Sequence, residues 1–134
     1  MRQTVKRIKA ARRTERYDSI VANPRNVRML MAEKCIEIPK QTVDLRGGEN
    51  RQDEHLKRNP HGQMPTLELD DGSHLSEITA ICEYLEDKQP SPPLIGATPE
   101  ERAESRMWTR RVDLNICEPL ANGYPLGQGM TLFA

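Results

Sequence analysis

Apolar residues along this chain follow two periods, and the switches between them mark its elements. Val27, Leu30, Met31 and Cys35 fall on one helical stripe behind Asn23 as cap and Pro24 at the first helical position. Their place on the stripe puts Met31 and Cys35 in the core. Val43 and Leu45 mark a second strand. Gly47-Gly48 then opens a polar surface segment running to Asn59, whose middle helix exposes Arg51, Asp53, Glu54 and Lys57 to solvent. Leu67 and Leu69 alternate with Thr66 and Glu68 as a half-buried strand, Asp70-Asp71-Gly72 supplies a turn, and a return strand spans Ser73 to Leu75. Ile78, Ile81 and Leu85 restore the helical period. The order strand, helix, strand, helix, strand, strand, helix predicts an α/β fold in which a βαβ unit joins a ββα unit.

Beyond these elements the pattern changes. Pro90 to Gly96 reads as a linker, and Thr98-Pro99-Glu100-Glu101 is a capping box with Pro at the first helical position. A long helix should follow, with Ala103, Met107, Trp108 and Val112 as its apolar stripe and Arg110 and Arg111 as structural or rim charges. From Pro119 onward Gly123, Pro125, Gly127 and Gly129 lie close together, so no further helix is expected.

Formal charge is zero, with 20 basic and 20 acidic residues, but it is unevenly spread. Residues 1–16 hold seven basic side chains against Glu15, which leaves the other 118 residues at a net charge of −6. A mildly acidic body is unlike a nucleic-acid-binding domain. The basic segment itself has three readings: an organelle transit peptide, a nucleic-acid arm, or upstream sequence translated from a misplaced start. Cys35, Cys82 and Cys117 are far apart, with no Cys-x-x-Cys and no His at ligand spacing, which argues against a metal site or a dithiol redox centre. With no apolar run of about eighteen residues and no secretory h-region, the expectation is a cytoplasmic protein with no membrane partner.

Candidate chemistry concentrates in His61 to Glu77. Pro65 holds Met64 extended, so the Met64 N–H and C=O cannot enter a helix and must face another partner. Ser76 stands at a helix start, where its hydroxyl and the open N–H groups form an anion site, and Glu77 adds a carboxylate. A backbone edge, an anion hole and one carboxylate suit a small zwitterionic peptide better than a nucleotide or a metal.

These residues also carry a resemblance. YDS at 17–19, NPRNVRMLMAEKCIEIP at 23–39, VDLRGGENR at 43–51, NPHGQMPTLELDDG at 59–72, SEITAICEYLED at 76–87 and PPLIGATPEERAESRMWTRRVDLN at 92–115 together resemble a bacterial glutathione transferase. The resemblance runs from about Tyr17 to Leu120. It implies a thioredoxin-like glutathione-binding domain over residues 17–88, a linker over 89–97 and the truncated start of an all-helical domain over 98–134, after a basic extension at 1–16. The family's first strand lies within the sheet, whereas Arg12-Arg13-Thr14-Glu15-Arg16 is polar, so that strand is expected to be damaged or replaced.

The resemblance further implies a cis Pro65, with the Met64 backbone pairing the cysteinyl part of glutathione. It places the γ-glutamyl carboxylate on Ser76 and the helix N-terminus, the ammonium group on Glu77, and Gln63 near the glycyl end. The implied chemistry is thiol activation for conjugation to small electrophiles, a detoxifying role, with glutathione as co-substrate, no other cofactor, and a homodimer as the assembly. A free thiol titrates at about 8.5, so the sulfur needs a hydroxyl donor and a helix N-terminus. Ser19 is the first candidate for that donor and Tyr17 the second. With Val27-Arg28 as the anchor, however, the usual donor position falls on Val21, which donates nothing. Tyr17 as a packing residue and Ser19 as a turn cap therefore stay open. Two further functional readings stand beside transfer: a glutathione-binding or interaction module without turnover, and an inactive truncated fragment that is marginally stable and self-associating.

Overall fold

The computed structural model describes residues 15–18 and 23–123, with no account of the side chains of Glu15, Arg16 and Asn23. They divide into two compact units, one up to Leu94 and one from Ile95. In the first, strand β1 (Glu15–Asp18) is followed by α1 (Asn23–Glu33), β2 (Lys40–Thr42), a tight helical turn at Glu49–Arg51, α2 (Asp53–Arg58), β3 (Thr66–Glu68), β4 (His74–Ser76) and α3 (Ile78–Lys88). The sheet order is β2-β1-β3-β4, with β1 parallel to β2 and antiparallel to β3, and β3 antiparallel to β4. This is the mixed, four-stranded thioredoxin-like sheet, flanked by helices on both faces.

Strand register decides which residues meet which helix. Leu67 lies opposite Leu75, and both face a core built from Val27, Met31, Ile38, Ile81 and Leu85 of the α1 and α3 side. Tyr17, Thr66 and Ser76 lie in register one residue over and so point to the opposite face. There Tyr17 packs with Val43, Leu45 and Met64 in a second core, and with His55 of α2. Helices on both faces explain why Thr66 is wholly buried although the alternation reads as a strand with one wet face.

Three expectations need correction. The second strand is the polar, exposed segment Lys40–Thr42, held at the sheet edge by its register with β1; Val43 and Leu45 follow it, Val43 N–H still bonding Asp18 O at 2.8 Å. Cys35 is exposed rather than in the core. Its helix ends at Glu33, and Cys35 takes a left-handed φ of 52°. Ile36 N–H then reaches Met31 O at 2.9 Å and Cys35 N–H reaches Ala32 O at 3.1 Å, which closes a Schellman turn and swings Cys35 outward. The third correction lies in the second unit, where helix does continue past Pro119.

That unit contains α4 (Pro99–Val112), a widened turn at Asp113–Cys117 and α5 (Glu118–Gly123). The expected capping box is present: Glu101 N–H bonds Thr98 Oγ1 at 3.2 Å and Thr98 N–H bonds the Glu101 carboxylate at 3.2 Å. Pro119 can donate nothing to the carbonyl four residues back, and the wide turn, in which Glu118 N–H reaches Asp113 O, carries the coil across that gap. The apolar stripe of α4 is exposed, Trp108 at 53%. No helix among the described residues is long and apolar enough to cross a membrane.

The first unit also buries an ion pair that the sequence does not announce. Lys34 is 0% and Glu86 1% exposed, with Nζ and Oε2 2.7 Å apart. Lys34 Nζ donates to Gln89 O and Pro92 O, both at 2.7 Å, while Glu86 Oε1 accepts from Leu94 N–H at 2.9 Å. Gln89 Nε2 returns a bond to Lys34 O. One buried cation thus ties the end of α1 to the end of α3 and to the segment after it. Removing either partner alone leaves an uncompensated buried charge, so Lys34→Met should destabilise the chain by about 3–5 kcal/mol in denaturant unfolding, and Lys34→Met with Glu86→Leu should recover most of that loss.

Candidate functional site

The candidate site starts at the C-terminus of α2, where Asn59 closes the helix and organises the loop after it. Asn59 N–H bonds His55 O at 2.9 Å, and Gly62 N–H bonds Asn59 O at 2.8 Å. The Asn59 side chain, 2% exposed, donates from Nδ2 to Gln63 O at 2.8 Å and to Thr66 Oγ1 at 3.3 Å, and accepts from His61 N–H at 3.1 Å. Thr66 Oγ1 donates in turn to Gln63 O at 3.3 Å. Gly62, at φ 64°, brings its backbone against the preceding turn, where Asn50 Nδ2 donates to Gly62 O at 2.7 Å. An added Cβ there would lie 2.8 Å from Asn50 O, so the close approach requires glycine.

This loop delivers Met64. Its side chain is 6% exposed within the second core, and the Met64–Pro65 peptide is cis, as the resemblance implies. Among the described residues, neither Met64 N–H nor Met64 C=O has a hydrogen-bond partner. The β3–β4 ladder ends on the pair Thr66 and Ser76, which Pro65 precedes on one strand and Glu77 follows on the other. The unpaired backbone edge and the helix start therefore lie together at one end of the sheet.

The helix start differs from the expected form. Ser76 is the last residue of β4, paired with Thr66, and Glu77 occupies the cap position of α3. Glu77 sits at φ 72° and ψ 126°, a backbone conformation that L residues rarely adopt, and no side chain caps the helix. Ser76 is not the cap because ladder pairing keeps it extended one residue too early. Consequently the first-turn N–H groups of α3 carry no side-chain partner, and among the described residues neither the Ser76 hydroxyl nor the Glu77 carboxylate has one either. Gln63 and Glu77 are exposed and Ser76 is half-buried.

Of the two thiol-activating candidates, Ser19 lies outside the described residues. Tyr17 is buried, and its hydroxyl donates to Glu68 Oε2 at 3.0 Å. Glu68 lies two residues beyond Thr66 along β3, so that hydroxyl points away from Met64. Arg58 covers the Tyr17 ring at 4.5 Å, and His55 and His74 flank it at 6.4 and 6.3 Å. Tyr17 is held as a packing residue. Among the described residues no group of His, Cys, Asp and Glu could hold a metal. Burial pushes the Cys82 thiol up to about 11, so it is inert at neutral pH.

Sequence reasoning missed Asn59, Thr66 and His55. Asn-Pro at 59–60 is a turn signal, but nothing in the sequence shows that the Asn59 side chain turns back into the loop.

Comparison with known proteins now decides the family. The sequence profile described as "Glutathione S-transferase, N-terminal domain" matches residues 22–88. The chain belongs to the glutathione S-transferase family. Glutathione S-transferase 2 of Saccharomyces cerevisiae is 38% identical over 100 residues, covering 73% of this chain and 43% of the yeast protein. A maleylacetoacetate isomerase of Pseudomonas aeruginosa is 39% identical over 98 residues, 72% of this chain and 46% of that protein. The crystal structure of the beta-etherase LigF from Sphingobium sp. strain SYK-6 superposes with a TM-score of 0.74 at 36% identity, over 86% of this chain and 49% of that one. The chain thus spans less than half the length of the two curated family members.

His55 adds a pH dependence to this family scaffold. It is 2% exposed, and among the described residues neither ring nitrogen reaches a partner at hydrogen-bond geometry. Desolvation lowers its pKa from 6.5, partly opposed by the nearby Gln63 backbone. The unfolded chain therefore binds the His55 proton more readily than the folded one. Stability from this group is complete above pH 6.5 and is lost as pH falls towards the lower folded value. Denaturant unfolding across pH 7.5 to about 5 should show wild-type stability falling, and His55→Leu should remove the part of that fall due to this ring.

Proposed function

We propose that this chain binds glutathione along the Met64–Pro65 edge, and that the whole protein transfers the bound thiolate to a small electrophile. The observation that carries the reading is the Met64 backbone, without a partner among the described residues and at the same end of the sheet as the start of α3, which no side chain among them caps. An extended peptide satisfies both Met64 groups by strand-like pairing, which suits the cysteinyl residue of glutathione. The γ-glutamyl carboxylate then falls to Ser76 and the first-turn N–H groups of α3, where the helix dipole favours a negative charge. Its ammonium group falls to Glu77. Gln63, exposed at the start of the edge, is the residue proposed for the glycyl end.

Transfer requires the sulfur as thiolate, its proton given to solvent; the thiolate attacks an electron-poor carbon, and as the new C–S bond forms the bond to a leaving group on that carbon breaks, the group departing to solvent with its electron pair. A hydroxyl near the start of α1 donating to that sulfur favours the charged form, and Ser19 is the residue of this chain proposed for it. No metal or further cofactor enters the scheme. The relatives' differing names, an isomerase and a beta-etherase among them, leave the electrophile described only as small and carbon-centred. A homodimer in the cytoplasm belongs to the same proposal.

A second reading, binding without turnover, is favoured by one specific observation: the Tyr17 hydroxyl is engaged by Glu68 and directed away from Met64. Titration calorimetry tests the shared part of both readings. Glutathione should bind the wild-type chain, and Glu77→Ala should weaken it by about 1–3 kcal/mol, as for loss of a charge-assisted hydrogen bond. Folded wild-type chain that releases no heat with glutathione would contradict both.

A further inference from the structure

We propose that Asn59, together with Thr66, is the positioning device that turns the Met64 N–H towards the ligand; this rests on the glutathione reading above. Gln63 C=O and Met64 N–H belong to one peptide group, and that group is trans. In a planar trans peptide the two bonds point in opposite directions. Gln63 O is drawn inward by two donors, Asn59 Nδ2 at 2.8 Å and Thr66 Oγ1 at 3.3 Å. Met64 N–H is thereby turned outward, and it finds no partner among the described residues.

The anchor is itself over-determined. Asn59 and Thr66 are 2% and 0% exposed, and Asn59 Nδ2 also donates to Thr66 Oγ1 at 3.3 Å. Thr66 is fixed by pairing with both Tyr17 and Ser76. The Asn59 side chain is fixed by His61 N–H at its oxygen. Without the two donors, a counter-rotation about the bonds on either side of the Gln63–Met64 peptide could swing its plane without moving the rest of the loop. The edge would keep its sequence and lose its aim. Asn59 touches no part of the proposed ligand and acts only through this peptide.

Two substitutions separate this role from simple closure of α2. Asn59→Asp keeps the size and the oxygen that accepts from His61 N–H, and exchanges the amide donor for a carboxylate that faces Gln63 O with a buried charge. Thr66→Val is isosteric and uncharged, and removes only the hydroxyl. In the full chain, labelled with carbon-13 and nitrogen-15, the Gln63 carbonyl carbon and Met64 amide nitrogen shifts report the peptide anchor without ligand. Calorimetry on the same folded samples then gives glutathione affinity. Both variants should move those two resonances, with a tenfold or greater loss of affinity for Asn59→Asp and a severalfold loss for Thr66→Val. Folded variants that bind glutathione as tightly as wild type would overturn the positioning role alone. Failure of the wild-type chain to bind would overturn the glutathione reading and this inference with it. Should Asn59→Asp fail to fold, the Thr66→Val result decides the question by itself.

Discussion

The structure depends on one unusual division of labour at Met64, whose side chain is buried while its backbone is left without a partner among the described residues. Burial beside Tyr17 and Val43 fixes the residue in place, and the loop from Asn59 fixes the direction of its peptide. Unpaired backbone groups are costly in a folded protein. A chain that holds such groups open at a defined spot has, in effect, kept one strand position vacant. An extended peptide is the ligand that fills such a position with the fewest further requirements.

What supports this edge is distributed over both faces of the sheet. On the α1 and α3 side the contacts are apolar, and the buried Lys34–Glu86 pair closes the end of that layer by tying two helix ends to the segment reaching Leu94. On the α2 side the contacts are mixed: Tyr17, Glu68, His74 and Arg58 form a polar network around an aromatic ring, next to the buried His55. The first face supplies apolar burial. The second holds the site, and its polar burial makes it sensitive to pH.

The elements of the first unit were largely legible because their apolar periods are clean: Val27 and Met31 on α1, Leu67 on β3, Ile81 and Leu85 on α3 all lie where the periods place them. Misreadings arose where local pattern and tertiary role diverge. Val43 and Leu45 are apolar because they follow an edge strand into the second core, not because they form that strand. Cys35 continues the α1 stripe in sequence, but the Schellman turn has already ended the helix. Ser76 has the residue type of a helix cap, yet its partner Thr66 holds it in the sheet. Lys34, Glu86 and His55 carry no sequence signal of burial, since only the fold brings their surroundings together. At the site, Met64, Pro65 and Glu77 were legible from a pre-proline segment meeting a helix start. Asn59 was not, because its function is a side chain folding back on its own loop.

The central claim is that Met64 N–H stands open in the free chain and is taken up by glutathione, and amide hydrogen exchange at that one site tests it most directly. Measured by nuclear magnetic resonance, the Met64 amide should exchange readily in the free protein, although its side chain is buried, and should become protected on adding glutathione. A Met64 amide already protected in the free protein, or one whose exchange is unchanged at saturating glutathione, would contradict the account.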